Sequence, residues 1–296
     1  MKLDKKPFYG AATALITPFT YEGKLDLPAF RRLVSLQCRA GIGALVVAGT
    51  TAEAPTLTEK EKILLLRAAK EESQGAVPLI MGVGSNDTEK LCRMAKTAEK
   101  EGADALLSVT PYYNKGTREG LCRHYERLAE ATSLPILLYN VPSRTGVSLS
   151  LGDYGRLFEK ENIVGVKEAE NDIEKAASLC EAFPKAALYT GNDSQLLPFL
   201  ALGGDGVISV LSNLFPKEVV LICRFMREGR LSDARGLFFR FLPLIRLLFA
   251  ETNPAPIKYA MAKMELCAPR LRLPLTLPEE PLRAKIDGAL SLLYKL

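Results

Sequence analysis

The chain has 296 residues, of which 48% are hydrophobic and 25% are charged, and its formal net charge is +5. This composition supplies enough apolar surface for a packed core and excludes an intrinsically disordered chain. The 39 basic and 34 acidic residues are spread along the sequence without a basic run, so we expect no nucleic-acid partner.

Three features of the sequence bear on where the protein works. The N-terminal stretch MKLDKKPFYG never develops an apolar core, so we expect no signal peptide. The most apolar long stretch, residues 237–250, is interrupted by Arg240, Pro243 and Arg246 and is too short to span a bilayer. The six cysteines are scattered without a CxxC pair, which is typical of free thiols in a reducing compartment. We therefore predict a cytoplasmic protein with no membrane partner.

Eight short apolar runs recur along the chain, and a segment with helical periodicity follows each of them. They begin roughly 20 to 35 residues apart, which is the period of a βα unit. Their near-continuous hydrophobicity suits parallel strands that are covered on both faces. The runs are residues 12–16, 44–48, 78–83, 105–109, 136–139, 163–167, 187–190 and 206–210.

Helix signals fall between these runs. Asp26 followed by Pro28 predicts a helix over residues 27–40, and the sequence TEKE from Thr58 predicts a capping box for a helix over 58–73. Eight βα repeats favour an α/β fold, a (β/α)8 TIM barrel, over residues 1–215. A doubly wound open sheet stays an alternative, although the first run lacks GxGxxG. Residues 216–296 look purely helical, which predicts a C-terminal helical extension packed on the barrel.

Lys167 carries the clearest chemical signal. In a barrel, reactive residues lie at the carboxyl ends of the strands, and Lys167 ends an apolar run. Burial favours the neutral form of an amine, and a neutral amine can attack a ketone to form an imine without a metal or cofactor. By strand alternation Gly165 shares its face and is expected to leave space for a small substrate. The alternative is a structural lysine paired with Glu168 or another carboxylate.

Proton transfer needs further groups. The only histidine, His124, is expected on a helix, at the surface or at an interface, so a histidine metal site or a Ser-His-Asp triad has little support. The hydroxyls of Tyr139, Tyr113 and Thr51 are candidates for moving protons. A core tyrosine with a satisfied hydroxyl is the commoner role for any single tyrosine.

Two further features suit the binding of carboxylates. The backbone N–H groups and hydroxyls of Gly49-Thr50-Thr51 can hold a carboxylate. Arg144 is a loop guanidinium able to bind a second one in bidentate fashion, although a solvated surface arginine is the alternative. Gly191 and Asn192 follow the seventh run at the same end of the predicted barrel.

Eight motifs in order along nearly the whole chain resemble the dihydrodipicolinate synthase / N-acetylneuraminate lyase family. They are GAATALITPF at 10–19, AGTTAEAPTLT at 48–58, TPYYNK at 110–115, YNVPSRTG at 139–146, GVKEA at 165–169, TGND at 190–193, GGDGVISV at 203–210 and ETNPAPIKYA at 251–260. The resemblance implies a Schiff base between Lys167 and pyruvate, with no metal or other cofactor. It also implies a proton relay of Thr51, Tyr139 and Tyr113.

The same resemblance implies how two substrates bind. Thr50 and Thr51 would hold the carboxylate of pyruvate, and Arg144 would hold that of L-aspartate 4-semialdehyde. Gly191, Asn192 and Ile208 would line the site. The loop SRTG around Arg144 favours this pair of substrates and a cyclic product that leads to diaminopimelate and lysine. A related pyruvate-dependent aldolase for a sugar acid or a hydroxy-oxo-acid is the alternative, and a non-catalytic barrel is a third.

Assembly and regulation follow from the resemblance too. In the family the tyrosine that matches Tyr113 comes from a neighbouring subunit, which implies a homodimer or a dimer of dimers. Members inhibited by lysine have a regulatory cleft, and four of its positions differ here. They are Ala54, Glu59, Lys62 and Lys90. Because Lys90 puts a cation where the ammonium of the inhibitor would lie, we predict weak or absent feedback inhibition by lysine.

Overall fold

Eight parallel strands form a closed barrel in the computed structural model, which describes residues 6–294. The strands are β1 (Gly10–Ala14), β2 (Ala44–Val47), β3 (Leu79–Gly82), β4 (Ala105–Val109), β5 (Ile136–Asn140), β6 (Ile163–Glu168), β7 (Ala187–Thr190) and β8 (Gly206–Ser209). Each strand pairs with the next one, and β8 pairs with β1. This closure confirms the predicted TIM barrel and excludes the open sheet. Residues 1–5, part of the stretch that argued against a signal peptide, lie outside the described residues.

Helices cover the outside of the barrel. They are α1 (Leu27–Arg39), α2 (Glu59–Ser73), α3 (Thr88–Lys100), α4 (Arg118–Ala131), α5 (Pro142–Thr145), α6 (Leu151–Leu157), α7 (Ile173–Ala182), α8 (Leu196–Ala201), α9 (Pro216–Arg227), α10 (Leu231–Leu248), α11 (Ala255–Lys263) and α12 (Glu280–Tyr294). Within residues 6–294 none of them is both long and apolar enough to cross a membrane.

The predicted helix starts at α1 and α2 are confirmed. The Asp26 carboxylate accepts a hydrogen bond from the N–H of Ala29 at 2.9 Å, which satisfies a donor that the helix itself cannot pair. At α2 both halves of the capping box are present, since the Thr58 hydroxyl accepts from the N–H of Glu61 and the Glu61 carboxylate accepts from the N–H of Thr58. These caps determine the residue at which each helix begins.

The strands separate two apolar cores. Side chains that point into the barrel form a small inner cluster that includes Ala12, Val46, Leu137, Tyr139 and Ile208. Side chains that point outward pack with the helices in a larger cluster. Because successive residues of a strand alternate between these two sides, the strand register decides which polar groups face the barrel interior.

The C-terminal part of the chain departs from the prediction of a purely helical extension. Helix α9 packs against β1 and α10, and α10 and α11 both contact α12. Residues 264–279 between α11 and α12 are not helical. This segment contains Pro269, Pro274 and Pro278, and proline disrupts a helix interior because it lacks the N–H and clashes with the preceding turn. The predicted boundary after residue 215 stays a prediction, since α9 contacts both parts.

Candidate active site

Lys167 lies on β6 with only 5% of its surface exposed. Its register neighbours are Tyr139 on β5 and Tyr189 on β7. The Lys167 Nζ lies 4.4 Å from the centroid of the Tyr139 ring, within the range of a cation–π contact. Among residues 6–294 no carboxylate forms an ion pair with Lys167. The amine is therefore buried beside an aromatic ring, with no described carboxylate in ion-pair contact.

Glu168 points to the other side of β6, toward the helices. Its carboxylate accepts hydrogen bonds from the Asn140 side-chain amide at 2.8 Å and from the Tyr154 hydroxyl at 3.0 Å, and Lys175 Nζ lies 3.7 Å away. Burial raises the pKa of the Glu168 carboxyl, and the Lys175 cation partly offsets that rise. The alternative of a structural pair between Lys167 and Glu168 is wrong, because adjacent strand residues face opposite sides.

Two glycines near Lys167 have different roles. A Cβ at Gly165 would lie 2.0 Å from the backbone oxygen of Ala187, so this glycine lets β7 approach β6 closely. The expectation that Gly165 leaves space for a substrate is therefore wrong. A Cβ at Gly191 would lie 2.8 Å from Lys167 Cε and 2.7 Å from Ala169 Cβ. Gly191 is thus the residue that leaves room beside the amine.

A cavity of about 440 Å³ opens at the carboxyl ends of the strands, and we call it the lysine cavity. It is lined by Thr50, Thr51, Tyr139, Val141, Ser143, Arg144, Lys167, Ala169, Gly191, Asn192, Val210, Phe249, Ala250, Glu251, Thr252 and Asn253. All the site residues predicted from the sequence lie here except two, Tyr113 and Ile208. Arg144 is exposed on the short helix α5, and the threonines belong to a 3-10 turn over Thr50–Ala52.

Ile208 and Tyr113 do not line this cavity. Ile208 is fully buried in the inner cluster of the barrel, whereas Val210, just beyond the end of β8, lines the cavity. Tyr113 is 91% exposed, and its φ of 69° lies in the left-handed region that bulky residues rarely adopt. Within one chain, Tyr113 therefore stands outside the cavity that contains Lys167.

Asn253 joins two predicted site residues and was missed by the sequence analysis. Its side-chain amide donates to the Thr51 hydroxyl at 3.0 Å, and its backbone oxygen accepts from Arg144 Nη2 at 2.8 Å. Its Oδ1 is buried without a partner in the described part of the chain, so a donor on a bound molecule could satisfy it. The only sequence signal was its place in the motif at 251–260.

Asp193 is a second residue that the sequence analysis left without a role. Its Oδ2 accepts hydrogen bonds from the N–H groups of Val210 and Leu211, at 2.9 and 3.1 Å, which ties the segment after β7 to the end of β8. Burial raises the pKa of this carboxyl, and the positive charge of Lys167 acts in the opposite direction. Asp193 thus fixes the floor of the cavity next to Val210.

His124 lies away from this cavity, on α4. It is only 5% exposed within one chain, so the surface position is wrong, and the position at an interface stays a prediction. Its ring Nδ1 is 2.9 Å from the Thr88 hydroxyl, and burial lowers its pKa to about 4. Across residues 6–294, no group of three or more His, Cys, Asp or Glu side chains lies together in a way that could hold a metal ion.

Known proteins share both this sequence and this fold. Residues 7–292 match the sequence profile of the Dihydrodipicolinate synthetase family. The 4-hydroxy-tetrahydrodipicolinate synthase of Thiobacillus denitrificans is 46% identical over 268 residues, which cover 90% of each protein. Dihydrodipicolinate synthase from Thermotoga maritima superposes with a TM-score of 0.95 at 42% identity, covering 98% of this chain and 100% of that one.

A third relative bears on assembly. A structure described as the first monomeric dihydrodipicolinate synthase variant superposes with a TM-score of 0.93 at 42% identity and covers 96% of each chain. These matches confirm the resemblance drawn from the motifs: the chain belongs to the Dihydrodipicolinate synthetase family.

Proposed function

We propose that the protein is a lyase that condenses pyruvate with L-aspartate 4-semialdehyde to 4-hydroxy-tetrahydrodipicolinate, in the biosynthesis of diaminopimelate and lysine. The observation that carries this proposal is the buried, unpaired amine of Lys167 in a cavity that also holds Arg144 and two threonines. The names of relatives up to 46% identical support the same reaction.

The chemistry needs one nucleophilic amine and no other cofactor. The Lys167 amine attacks the ketone carbon of pyruvate, and the ketone oxygen leaves as water to give an imine. Loss of a proton from the methyl carbon gives an enamine, which attacks the aldehyde carbon and forms the new C–C bond. The amino group of the second substrate then attacks the imine carbon, which closes the ring and frees Lys167.

Each substrate carries a carboxylate that needs a partner. We assign the pyruvate carboxylate to the 3-10 turn of Thr50 and Thr51, because both residues line the lysine cavity and carry backbone N–H groups and hydroxyls that can donate to a carboxylate. We assign the carboxylate of the aldehyde to Arg144. Its Nη2 is held by the Asn253 carbonyl, which fixes the guanidinium while leaving other donors for a bidentate contact.

Protons are moved by hydroxyl groups in this proposal, among them that of Tyr139, whose ring centroid lies 4.4 Å from Lys167 Nζ. The family resemblance implies Thr51 as the threonine of this relay. The Asn253 contact to the Thr51 hydroxyl supports a binding role for Thr51 instead, and Thr50, which lines both the lysine cavity and the cavity beside it with Tyr139, is the better candidate. Replacement of Thr50 by valine should then lower kcat, and replacement of Thr51 should raise KM for pyruvate.

Tyr113 completes the relay from a second copy of the chain in our proposal. Its 91% exposure leaves it free to enter a neighbour's site, and its strained backbone is typical of residues held for function. The smallest active unit is then a homodimer, with a dimer of dimers as the larger assembly. Free cysteine thiols throughout the described residues support the further proposal of a cytoplasmic enzyme.

The choice of aldehyde is tested through Arg144. We expect Arg144→Ala to raise KM for L-aspartate 4-semialdehyde about 10- to 100-fold while KM for pyruvate changes little, since one bidentate charged contact is lost. Arg123→Ala is the matched control, because Arg123 is an exposed arginine of α4 paired with Glu119. Unchanged turnover in Arg144→Ala would instead favour another aldehyde, such as that of a sugar-acid lyase.

A further inference from the structure

A fully buried ion pair joins the end of the turn Thr50–Ala52 to α11. The Glu53 carboxylate accepts a hydrogen bond from Lys258 Nζ at 2.7 Å. Of the ion pairs within residues 6–294, this is the only one in which neither side chain reaches the surface. Removal of one partner from such a pair is costly, because it leaves an uncompensated charge in the interior. The pair therefore holds the turn and α11 together.

Glu53 also sets the path of the backbone at this point. Its φ of 59° lies in the left-handed region, and it ends the turn Thr50–Ala52 and begins the next one, Ala54–Thr56. A residue in this conformation costs free energy and persists only where the surrounding structure holds it. Here the holding contacts are Lys258 Nζ at one carboxylate oxygen and the N–H of Arg272, which donates to the other at 2.9 Å.

The C-terminal extension contacts the turn at a second point. Asn253, just before α11, donates from its side-chain amide to the Thr51 hydroxyl at 3.0 Å. The barrel itself adds a third contact, since the buried Thr17 hydroxyl donates to the Ala52 backbone oxygen at 2.8 Å. Among these contacts only the one made by Lys258 carries a charge. The turn is thus fixed from several sides, and its one charged anchor comes from α11.

We infer that Lys258 is a positioning residue for pyruvate binding, and this inference rests on the proposed function. The ion pair fixes the left-handed residue that sets the direction of the N–H groups of Thr50 and Thr51, to which the pyruvate carboxylate is assigned. The Lys258 cation also neutralises the Glu53 carboxylate, which would otherwise repel the carboxylate of the substrate. Lys258 does not line the lysine cavity, so it acts only through the turn.

Borohydride trapping at a series of pyruvate concentrations tests this role. We expect Lys258→Met to raise the half-saturating pyruvate concentration at least about tenfold, because hydrogen bonds to a charged group are misaligned, while the rate at saturation changes less than about threefold. A loss of folded protein alone would lower the amount of adduct without moving the half-saturating concentration. Lys263→Met is the matched control, because Lys263 is exposed on the same helix and pairs with Asp287.

A double variant keeps the test decisive if Lys258→Met does not fold. Glu53→Gln combined with Lys258→Met removes both charges, and replacement of both members of a buried pair is often tolerated. We expect this variant to melt near the wild-type temperature and to raise the half-saturating pyruvate concentration at least about threefold. Hydrogen–deuterium exchange of residues 50–56, measured without pyruvate, should be faster than in the wild type.

Two results would overturn the inference. One is an unchanged half-saturating pyruvate concentration in the folded double variant, and the other is unchanged exchange of residues 50–56. Both leave the proposed function intact, because the wild-type protein still traps pyruvate on Lys167. A wild-type protein that traps no pyruvate would refute the proposed function and, with it, the role of Lys258 in pyruvate binding.

Discussion

At Gly191 the absence of a side chain leaves the Lys167 side chain in its observed position. An alanine Cβ at this position would press on Lys167 Cε at 2.8 Å and on Ala169 at 2.7 Å. We expect Gly191→Ala to lower kcat/KM about 100-fold, because a displacement near 1 Å at a reacting group has effects of that size. Gly236→Ala on α10 is the control, since its Cβ would meet nothing within 4 Å. Steady-state rates of both variants decide this, and equal rates would remove Gly191 from the site.

His124 makes stability depend on pH. Burial lowers its folded-state pKa from 6.5 to about 4. Between these values the unfolded chain binds a proton that the folded chain does not, so stability is full above pH 6.5 and falls toward pH 4. A tenfold change in proton affinity corresponds to about 1.4 kcal/mol. Protonation of His124 alone should therefore lower the free energy of unfolding by up to about 3 kcal/mol over this pH range.

The variant His124→Gln isolates that contribution. Its free energy of unfolding should fall less steeply than that of the wild type between pH 7 and pH 4, measured by urea unfolding at each pH. The difference in the free energy of unfolding between the two proteins at pH 7 reflects the change in packing. Only the difference in how steeply that free energy falls with pH reflects the protonation of His124. Parallel curves would contradict the assignment.

At the scale of elements, the turn that carries the two threonines is anchored by the C-terminal extension. Glu53, at φ 59°, links the turn Thr50–Ala52 to the next one, and its carboxylate lies 2.7 Å from Lys258 Nζ on α11. Both side chains are fully buried. The N–H of Arg272 donates to the same carboxylate at 2.9 Å. Burial lowers the pKa of Lys258, and the Glu53 charge opposes that effect.

Loss of Lys258 should therefore be strongly destabilising. We expect Lys258→Met to lower the free energy of unfolding by about 3–5 kcal/mol, because it leaves the Glu53 carboxylate buried and unpaired. Lys263→Met on the same helix breaks an exposed pair with Asp287 and should change stability by less than about 1 kcal/mol. Denaturant unfolding compares the two variants. Similar losses of unfolding free energy would show that the buried pair contributes no more to stability than the exposed one.

The sequence predicted the elements better than their contacts. Apolar periodicity and caps are local, so the eight strands and the starts of α1 and α2 could be predicted. The Glu53–Lys258 pair joins residues 205 positions apart, and no local pattern encodes it. The role of Gly165 depends on how closely β7 approaches, and the burial of His124 depends on the packing of α3 beside α4. The chemistry of a lysine in an apolar strand was enough to single out Lys167 from the sequence. The contacts of Asn253 with Thr51 and Arg144 became visible only in the folded structure.

At the scale of the whole molecule, substitution of Tyr113 tests whether two subunits share one active site. We expect Lys167→Ala and Tyr113→Ala each to be nearly inactive alone. If Tyr113 acts across subunits, mixed dimers contain one site with both native groups, and random mixing restores about a quarter of the wild-type activity. Activity after joint refolding of the two variants is the measurement. No recovery, although mixed dimers are detected by mass spectrometry, would put Tyr113 in its own chain's site or outside catalysis.

The central claim is that Lys167 captures pyruvate, and borohydride trapping followed by peptide mass spectrometry tests it most directly. Reduction of the imine fixes pyruvate on the lysine as a stable secondary amine. We predict one adduct per chain, on Lys167, absent from Lys167→Arg, and diminished when L-aspartate 4-semialdehyde is added and turned over. An adduct that this aldehyde does not affect would retain the imine chemistry but reassign the second substrate. The absence of any adduct on Lys167 would contradict the account.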